Sequence, residues 1–133
     1  MKAYLAPWSP QLLSILRIIT GFLFVLHGMQ KWFGFPAPFP NPIQFWSLAG
    51  VAGVLELVGG TMMITGLFTR PVAFILSGLM AFAYFIAHAP GGFWPIVNKG
   101  ELAALYSFVF LYFAAAGGGP WSLDRAMRGQ DAG

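Results

Sequence analysis

The run Gly50-Val-Ala-Gly53-Val-Leu-Glu56-Leu-Val-Gly59-Gly60 places one carboxylate inside a long apolar segment. On a helix of 3.6 residues per turn, Gly53 and Gly60 lie within about 60° of Glu56, so a second helix can approach that face closely. A charged side chain at the centre of a bilayer costs roughly 2.5–3.5 kcal/mol, and glutamate is too short to reach the membrane surface. The run therefore predicts a membrane helix with Glu56 facing the interior of a bundle.

The composition excludes a water-soluble enzyme. Of the 133 residues, 58% are apolar and only 8% are charged, against about 45–50% and 25% in soluble domains. The absence of cysteine removes disulfides, thiolate metal sites and iron–sulfur clusters. The net charge is +3, but the basic residues are scattered rather than gathered in one stripe, so we expect no nucleic-acid partner.

Four apolar segments separated by glycine- and proline-rich breaks predict an all-α fold, a bundle of four transmembrane helices in a single domain. The segments cover about residues 10–32, 42–68, 71–89 and 99–117, near the roughly 20 residues that cross a bilayer. Ser9 and Asn41, each followed by proline, are start signals for the first two helices. Asn98 and Glu101 fit a capping box at the fourth, and Ser122 is predicted to cap a short surface helix.

The distribution of basic residues predicts the orientation, because cytoplasmic flanks carry more lysine and arginine. With four helices, both termini share one side of the membrane. The basic residues on that side are Lys2, Arg17, Arg70, Arg125 and Arg128, against Lys31 and Lys99 on the other. We therefore expect both termini in the cytoplasm and the aromatic-rich loops on the outer side.

The ionisable residues of the predicted helices form a candidate ligand site. The first helix presents a basic face, and the second presents an acidic one around Glu56. The candidate ligand-binding residues are Arg17, His27, Lys31, Glu56, Tyr84, His88 and Glu101. Most of them lie near the outer ends of the helices, beneath aromatic loops that can act as a lid. A polar pocket under an aromatic lid suits a ring-shaped amphipathic molecule.

Structural interpretations of the same residues stay open. Glu56 either binds a ligand or a proton, or pairs with Arg17 or Lys31 to lock helix packing. Arg17 alternatively pairs with Asp124 or with backbone carbonyls, and Lys31 is near enough to the surface to extend into water. The residues with predicted structural roles are Gly28, Gly53, Gly60 and Asp124.

The remaining candidates have structural alternatives too. Glu101 can be half of a capping box, His88 can cap the last carbonyls of its helix, and Tyr84 can simply pack. Haem between His27 and His88 is not expected, because the two histidines lie at different depths. A metal held by His27, Glu56 and His88 is chemically allowed, but no spaced metal motif supports it, so no metal is expected.

Three motifs occur together along the chain. They are Arg17-x3-Gly21-x5-His27-Gly28-x2-Lys31, then Glu56-Leu-x-Gly59-Gly60-x5-Gly66-Leu-x-Thr69-Arg70, then Gly117-x-Gly119-x2-Ser122-Leu-Asp124. In combination they resemble the DoxX family over about residues 12–126. The resemblance implies a small bacterial or archaeal inner-membrane protein with four helices. Related proteins are linked to quinone-coupled oxidation, including thiosulfate–quinone oxidoreductase subunits, and to membrane assemblies that handle oxidative stress.

The pocket and the resemblance favour a membrane component of a quinone-linked redox system, with quinone as its cofactor. His27 and Glu56 are the candidates for proton exchange, and Lys31 or Arg17 would polarise a ring carbonyl. Since the chain carries no redox group, a soluble or membrane partner protein must supply electrons. The alternative is a non-catalytic scaffold or small-solute carrier whose buried charges fix helix packing. We also expect lipid contacts and a homo-oligomer formed through the glycine-rich faces.

Overall fold

The computed structural model describes residues 3–40 and 43–128, and in those residues there is no β-strand. The α-helices in this part of the chain are α1 (Ser9–Phe33), α2 (Leu48–Thr65), α3 (Thr69–Ala83), α4 (Pro95–Asn98), α5 (Glu101–Ala116) and α6 (Leu123–Arg128). A π-helical turn, Tyr84–His88, continues α3, and 3-10 turns lie at Ala6–Trp8 and Ala89–Gly91.

Apolar helices long enough to cross a membrane dominate the fold. Among the described residues, three helical stretches have the necessary length and hydropathy: Ala6–Phe33, Leu48–Thr65 and Thr69–Gly91. The apolar helix α5 has 16 residues, about 24 Å of helix, and is the fourth member of the bundle. The prediction of an all-α membrane bundle is confirmed.

The bundle has two ends, which have different structures. The terminal end holds the start of α1, the tight turn between α2 and α3, residues 117–122 and α6. The loop end holds the two longer connections, of which the structure describes residues 34–40, 43–47 and 89–100.

Two of the observed helix starts differ from the predicted ones. α2 starts at Leu48, where the Ser47 hydroxyl accepts a 3.0 Å hydrogen bond from the Gly50 N–H; the Asn41-Pro42 signal lies outside the described residues. The capping box at α5 does not form, because Gly100 occupies the N-cap position. Asn98 instead ends α4, and its Oδ1 accepts from the Gly100 N–H at 2.8 Å.

The N-terminal helix and the C-terminal surface helix are close to their predictions. Ser9 is the first residue of α1 rather than its cap, since a 3-10 turn ending at Trp8 leads directly into the helix. The predicted cap of the surface helix forms: the Ser122 hydroxyl accepts a 3.2 Å hydrogen bond from the Arg125 N–H.

Glycines bring α1 and α2 into direct backbone contact. A methyl group at Gly28 would lie 2.7 Å from the carbonyl oxygen of Gly53, and one at Gly21 would lie 2.9 Å from the carbonyl oxygen of Gly60. A methyl group at Gly60 would lie 2.5 Å from Cγ2 of Val25. Both helices therefore need small residues along this contact, as membrane helices that pack closely do.

The hydrophobic core lies where the α1–α2 pair meets the α3–α5 pair. The Phe24 ring meets the rings of Tyr106 and Phe110 edge-on, with centroids 5.3 and 4.9 Å apart. Hydroxyls join α3 to α5: Ser77 Oγ donates to the Ser107 carbonyl at 2.7 Å, and Ser107 Oγ donates to the Ser77 carbonyl at 2.9 Å. The buried hydrophobic residues of the core are Phe24, Met63, Ala73, Leu76, Met80, Tyr106, Phe110 and Phe113.

The outer surface of the bundle is apolar, as a lipid-facing surface must be. Large side chains such as Phe108, which is 71% exposed, point outward along the helices. Exposed tryptophans mark both ends: Trp8 and Trp121 at the terminal end, and Trp46 and Trp94 at the loop end. Aromatic residues concentrate at the two interfaces of a bilayer, so this pattern brackets the membrane-embedded part of the protein.

Substituting Gly28→Ala is expected to destabilise the bundle. The added methyl group would meet the Gly53 carbonyl oxygen at 2.7 Å and the Leu57 amide nitrogen at 3.0 Å, and overpacking of this kind costs about 1–3 kcal/mol. Thermal unfolding in detergent measures the effect. Gly78→Ala is the control, because no atom lies within 4 Å of its added methyl group, and it should be at least as stable as the wild type. Equal melting temperatures for the two variants would contradict the packing argument.

Candidate functional site

A cavity of about 680 Å³ opens between the four apolar helices toward the loop end. Its walls are mostly apolar, and all four helices of the bundle contribute to them. The lining residues are Phe24, His27, Lys31, Phe39, Leu48, Ala49, Val51, Ala52, Glu56, Leu79, Met80, Phe82, Ala83, Ile86, Ala87, His88, Lys99, Leu102, Ala103 and Tyr106. An apolar cavity with a few convergent polar groups is the usual form of a small-molecule site.

An ion pair between α1 and α2 forms one polar wall of the cavity. The Lys31 ammonium lies 2.9 Å from both carboxylate oxygens of Glu56, and the side chains are 14% and 5% exposed. Gly28 lies one turn before Lys31, and Gly53 lies one turn before Glu56. Because these glycines let α1 and α2 approach closely, the two charged side chains can meet. An ammonium has three N–H donors, so one remains after both carboxylate oxygens are satisfied.

His27 faces the cavity from α1, beside an aromatic ring of α5. The imidazole and the Tyr106 ring meet edge-on with centroids 6.0 Å apart, and both residues line the cavity. Tyr106 itself is buried against Phe24. This packing fixes the position of the His27 ring one turn from Lys31.

His88 reaches the cavity from the π-helical turn that ends the third membrane helix. Its Nδ1 lies 3.2 Å from the carbonyl oxygen of Asn98. Since a carbonyl oxygen only accepts hydrogen bonds, this contact requires the proton on Nδ1 and leaves Nε2 as an acceptor. π-Helical turns inside α-helices occur frequently at functional sites, and this one runs from Tyr84 to His88.

The cavity is covered toward the loop end by one of the two aromatic loops. Phe39 lines it, with its ring centroid 5.6 Å from Lys31 Nζ, in position for a cation–π contact. The other loop contributes Lys99, which ends α4 in the left-handed conformation with φ 63°. Trp94 lies instead in a separate shallow depression on the outside of α5, so the expected two-loop lid is formed by the first loop only.

Arg17 lies at the opposite end of the bundle and does not share the cavity. It is fully buried, and ten residues of helix, about 15 Å, separate it from His27. Its guanidinium donates to four backbone carbonyl oxygens: Met63 at 2.8 Å, Ile64 at 3.4 Å, Trp121 at 2.6 Å, and Gly118. Arg17 therefore pairs with backbone carbonyls, at the end of α2 and in the turn before α6, instead of facing the cavity.

Asp124 completes this terminal-end cluster. Its carboxylate oxygens accept hydrogen bonds from the Phe68 and Thr69 N–H groups at 2.7 and 2.8 Å, and the residue is 3% exposed. N–H groups at the start of a helix such as α3 have no carbonyl partner within the helix, and a negative charge is favourable there. Asp124 thus attaches α6 to the α2–α3 turn, in agreement with the structural role that the sequence suggests.

Two other candidates lie outside the cavity. The Tyr84 hydroxyl accepts a 3.1 Å hydrogen bond from Asn98 Nδ2, so its ring packs under the α4 turn. Glu101 is exposed and lines the shallow depression on the outer side of α5. Within residues 3–40 and 43–128, no group of three His, Asp or Glu side chains gathers closely enough to hold a metal ion.

The cavity also contains residues that the sequence analysis missed. Lys99 and Tyr106 line it, although neither is among the predicted ligand-binding residues, whereas the predicted Glu101 lies outside it. Tyr112 is 58% exposed, and the observed inward face carries Tyr106 and Phe110. Apart from Glu101 at its start, α5 is apolar on nearly every side, so helical periodicity does not distinguish its inward face.

The Lys31–Glu56 pair is expected to couple strongly in a double-mutant cycle. Glu56→Gln leaves the ammonium without its counter-charge and should lower the free energy of unfolding by at most roughly 3–5 kcal/mol, the cost of breaking a buried pair. Glu56→Gln combined with Lys31→Met should recover part of this loss, since no unpaired charge remains. Chemical denaturation in detergent measures the coupling. Additive losses would show that the two side chains do not interact.

Arg17→Gln is expected to destabilise the protein without acting through the cavity. Four carbonyl oxygens lose a charged donor, so the loss should be about 3 kcal/mol or more. Arg128→Gln is the matched control, because Arg128 is exposed on α6 and should change stability by less than about 0.5 kcal/mol. Thermal unfolding in detergent compares the two. A stable Arg17→Gln protein would show that the terminal-end cluster is dispensable.

Comparisons with known proteins agree with this architecture. A family model described as DoxX matches residues 12–89. The chain is 46% identical to an uncharacterized protein of Haemophilus influenzae, over 90% of this chain and 93% of the relative. It is 30% identical to an uncharacterized membrane protein of Mycobacterium tuberculosis, over 90% of this chain and 83% of the relative.

A shorter match carries a functional name. The chain is 34% identical to a Bacillus subtilis protein named "Putative oxidoreductase CatD", over 47% of this chain and 49% of that protein. No solved structure matches the chain. The family match covers more than half of the sequence, and the strongest identities extend over nearly all of it: the chain belongs to the DoxX family of multi-pass membrane proteins.

Proposed function

We propose that the protein is the membrane component of a quinone-linked redox system and that its cavity binds the quinone head group. The observation that carries the proposal is the cavity itself, which gathers His27, Lys31, Glu56 and His88 in an apolar enclosure. Its volume of about 680 Å³ falls within the roughly 300–1,000 Å³ of ligand pockets. The name of the Bacillus subtilis relative supports an oxidoreductase association.

The polar groups of the cavity have the hydrogen-bonding capacity that a quinone ring needs. A bound quinone supplies two-electron, two-proton chemistry at its two ring oxygens. Lys31 has one N–H beyond those directed at Glu56, and this N–H is suited to a ring carbonyl. His88, with Nδ1 held by Asn98, offers Nε2 as an acceptor for a ring hydroxyl. His27 and Glu56 are the remaining proton-exchanging groups on the cavity wall.

Electrons must reach this site from elsewhere. The side chains of this sequence include no cysteine, and none of its other residues is a two-electron donor. The proposed system therefore includes a partner protein with a redox cofactor, soluble or in the membrane. Because the cavity lies at the loop end, the partner would act on that side of the bundle.

A non-catalytic role is the second candidate, and the Lys31–Glu56 ion pair favours it. A buried pair bridging two helices at 2.9 Å fixes helix register without any ligand. In that case the protein is a membrane scaffold, or a carrier whose cavity holds a small solute. If the protein is a scaffold, Glu56→Gln should only lower the melting temperature. If it is a carrier, liposomes that contain it should take up solute with no bound quinone.

We also propose a bacterial inner-membrane location with both termini in the cytoplasm. At the terminal end Arg70, Arg125 and Arg128 accompany the buried Arg17, whereas Lys31 and Lys99 are at the loop end. Lys2 lies outside the described residues. An excess of basic residues on the cytoplasmic flanks supports this orientation. Self-association remains a prediction, to be tested by crosslinking in native membranes.

Mass spectrometry of lipids extracted from the purified protein tests the quinone proposal. The wild type should retain ubiquinone or menaquinone at close to one molecule per chain. His27→Ala and His88→Gln should retain at most a tenth of that amount, because each removes a polar contact in the cavity. Tyr112→Phe is the control, since Tyr112 is exposed to lipid outside the cavity, and it should retain the wild-type amount. A wild type without quinone, or equal retention in all variants, would refute the proposal.

A further inference from the structure

The cavity has an apolar side that faces the lipid. Six apolar residues that line it are also exposed on the outside of the bundle: Leu48 at 66%, Val51 at 42%, Phe82 at 54%, Ile86 at 53%, Leu102 at 47%, and Ala87. A side chain that both lines a cavity and faces outward lies at its opening. Two of these residues belong to α2 and three to α3 and its π-helical continuation, so the opening lies mainly between those helices. Leu102, at the start of α5, lies on the rim toward the loop end.

The separation of α2 and α3 explains why the opening is there. At the terminal end the two helices are joined by a tight turn, and they still touch at Gly59, where a methyl group would lie 2.8 Å from Leu76 Cδ2. One turn further toward the loop end, Glu56 and Leu79 already line the cavity. Small residues, Ala52 on α2 and Ala83 on α3, keep the gap between the helices free.

The opening runs from Leu48, the first residue of α2 at the loop end, along the helix into the apolar body of the bundle. Val51 and Ala52 are about 5–6 Å along α2 from its first residue, and Glu56 is about 12 Å along it. The exposed residues around the opening are all apolar, whereas Lys31, Lys99 and Phe39 lie on the side toward the loop end. A charged or strongly hydrated solute would lose its hydration in the opening, but an apolar chain would not.

We infer that the ligand enters from the bilayer between α2 and α3, and that its apolar tail stays in this opening while its polar head group occupies the cavity. The inference rests on the proposed function for the nature of the head group, and it narrows the ligand to a membrane-dissolved amphiphile with a long tail. The occupant of the opening is the isoprenoid tail of a quinone. A water-borne small solute does not fit this arrangement.

Quinone binding in nanodiscs tests the route. Ala52→Phe and Ala83→Phe narrow the opening, and Val58→Phe is the control, because Val58 is exposed on α2 and does not line the cavity. Binding of a long-tailed ubiquinone, followed by quenching of the native tryptophans, should weaken at least tenfold in the first two variants. Binding of the tail-less ubiquinone head group should change by less than twofold. Equal weakening of both probes, or no weakening of either, would overturn the inference.

A second measurement separates failure of the route from failure of the quinone proposal. The chain has no cysteine, so Ala52→Cys can carry a single bimane label, with labelled Val58→Cys as the lipid-exposed reference. Lipids with a nitroxide on the acyl chain should quench the label at residue 52 at least half as strongly as the reference, and aqueous iodide should quench it weakly. This result without quinone binding would refute the proposed function and retain the lateral opening. Strong quenching by iodide with weak quenching by lipid would refute the opening. A phospholipid retained at one per chain in place of quinone would refute the quinone tail as the occupant.

Discussion

The backbone contact between α1 and α2 is the constraint on which the rest of the structure depends. Glycines on both helices allow it: a methyl group at Gly28 would meet the Gly53 carbonyl oxygen, and one at Gly21 would meet the Gly60 carbonyl oxygen. The close approach brings the Lys31 ammonium to 2.9 Å from the Glu56 carboxylate, inside a bundle where either charge alone would be unfavourable. It also closes one wall of the cavity, so the same contact that satisfies the ion pair creates the candidate site.

The two ends of the bundle divide structural and functional roles. At the terminal end, Arg17 and Asp124 satisfy backbone groups of α2, α3 and the turn before α6. These hydrogen bonds lock the helices together where α2 turns into α3. Toward the loop end α2 and α3 separate, and the space between them is lined by polar groups on one side and by apolar side chains facing lipid on the other. The closed end maintains the helix packing, and the open end leaves the space that the proposed ligand would occupy.

Within the cavity, packing against neighbouring groups sets the chemistry of each polar side chain. The Asn98 carbonyl orients His88, the Tyr106 ring flanks His27, and Glu56 holds two of the three Lys31 donors. The proposed quinone role uses the atoms that these contacts leave free. The lateral opening adds the route by which a molecule dissolved in the membrane would reach those atoms.

The helical architecture could be predicted from the amino-acid pattern, and so could the concentration of ionisable residues toward one end of the bundle. The lengths of the apolar segments predicted the helices. The positions of His27, Lys31, Glu56 and His88 along those helices predicted that they lie toward one end, and their charge predicted that they face the bundle interior. Tertiary structure decided which of them share a cavity. Arg17 lies on the same stripe as Lys31, but backbone carbonyls of distant segments surround it, and such partners leave no mark in local sequence. Packing likewise decided which face of α5 turns inward, since an apolar helix has little periodicity that distinguishes its faces. The π-helical turn that positions His88 also has no signal in the local sequence.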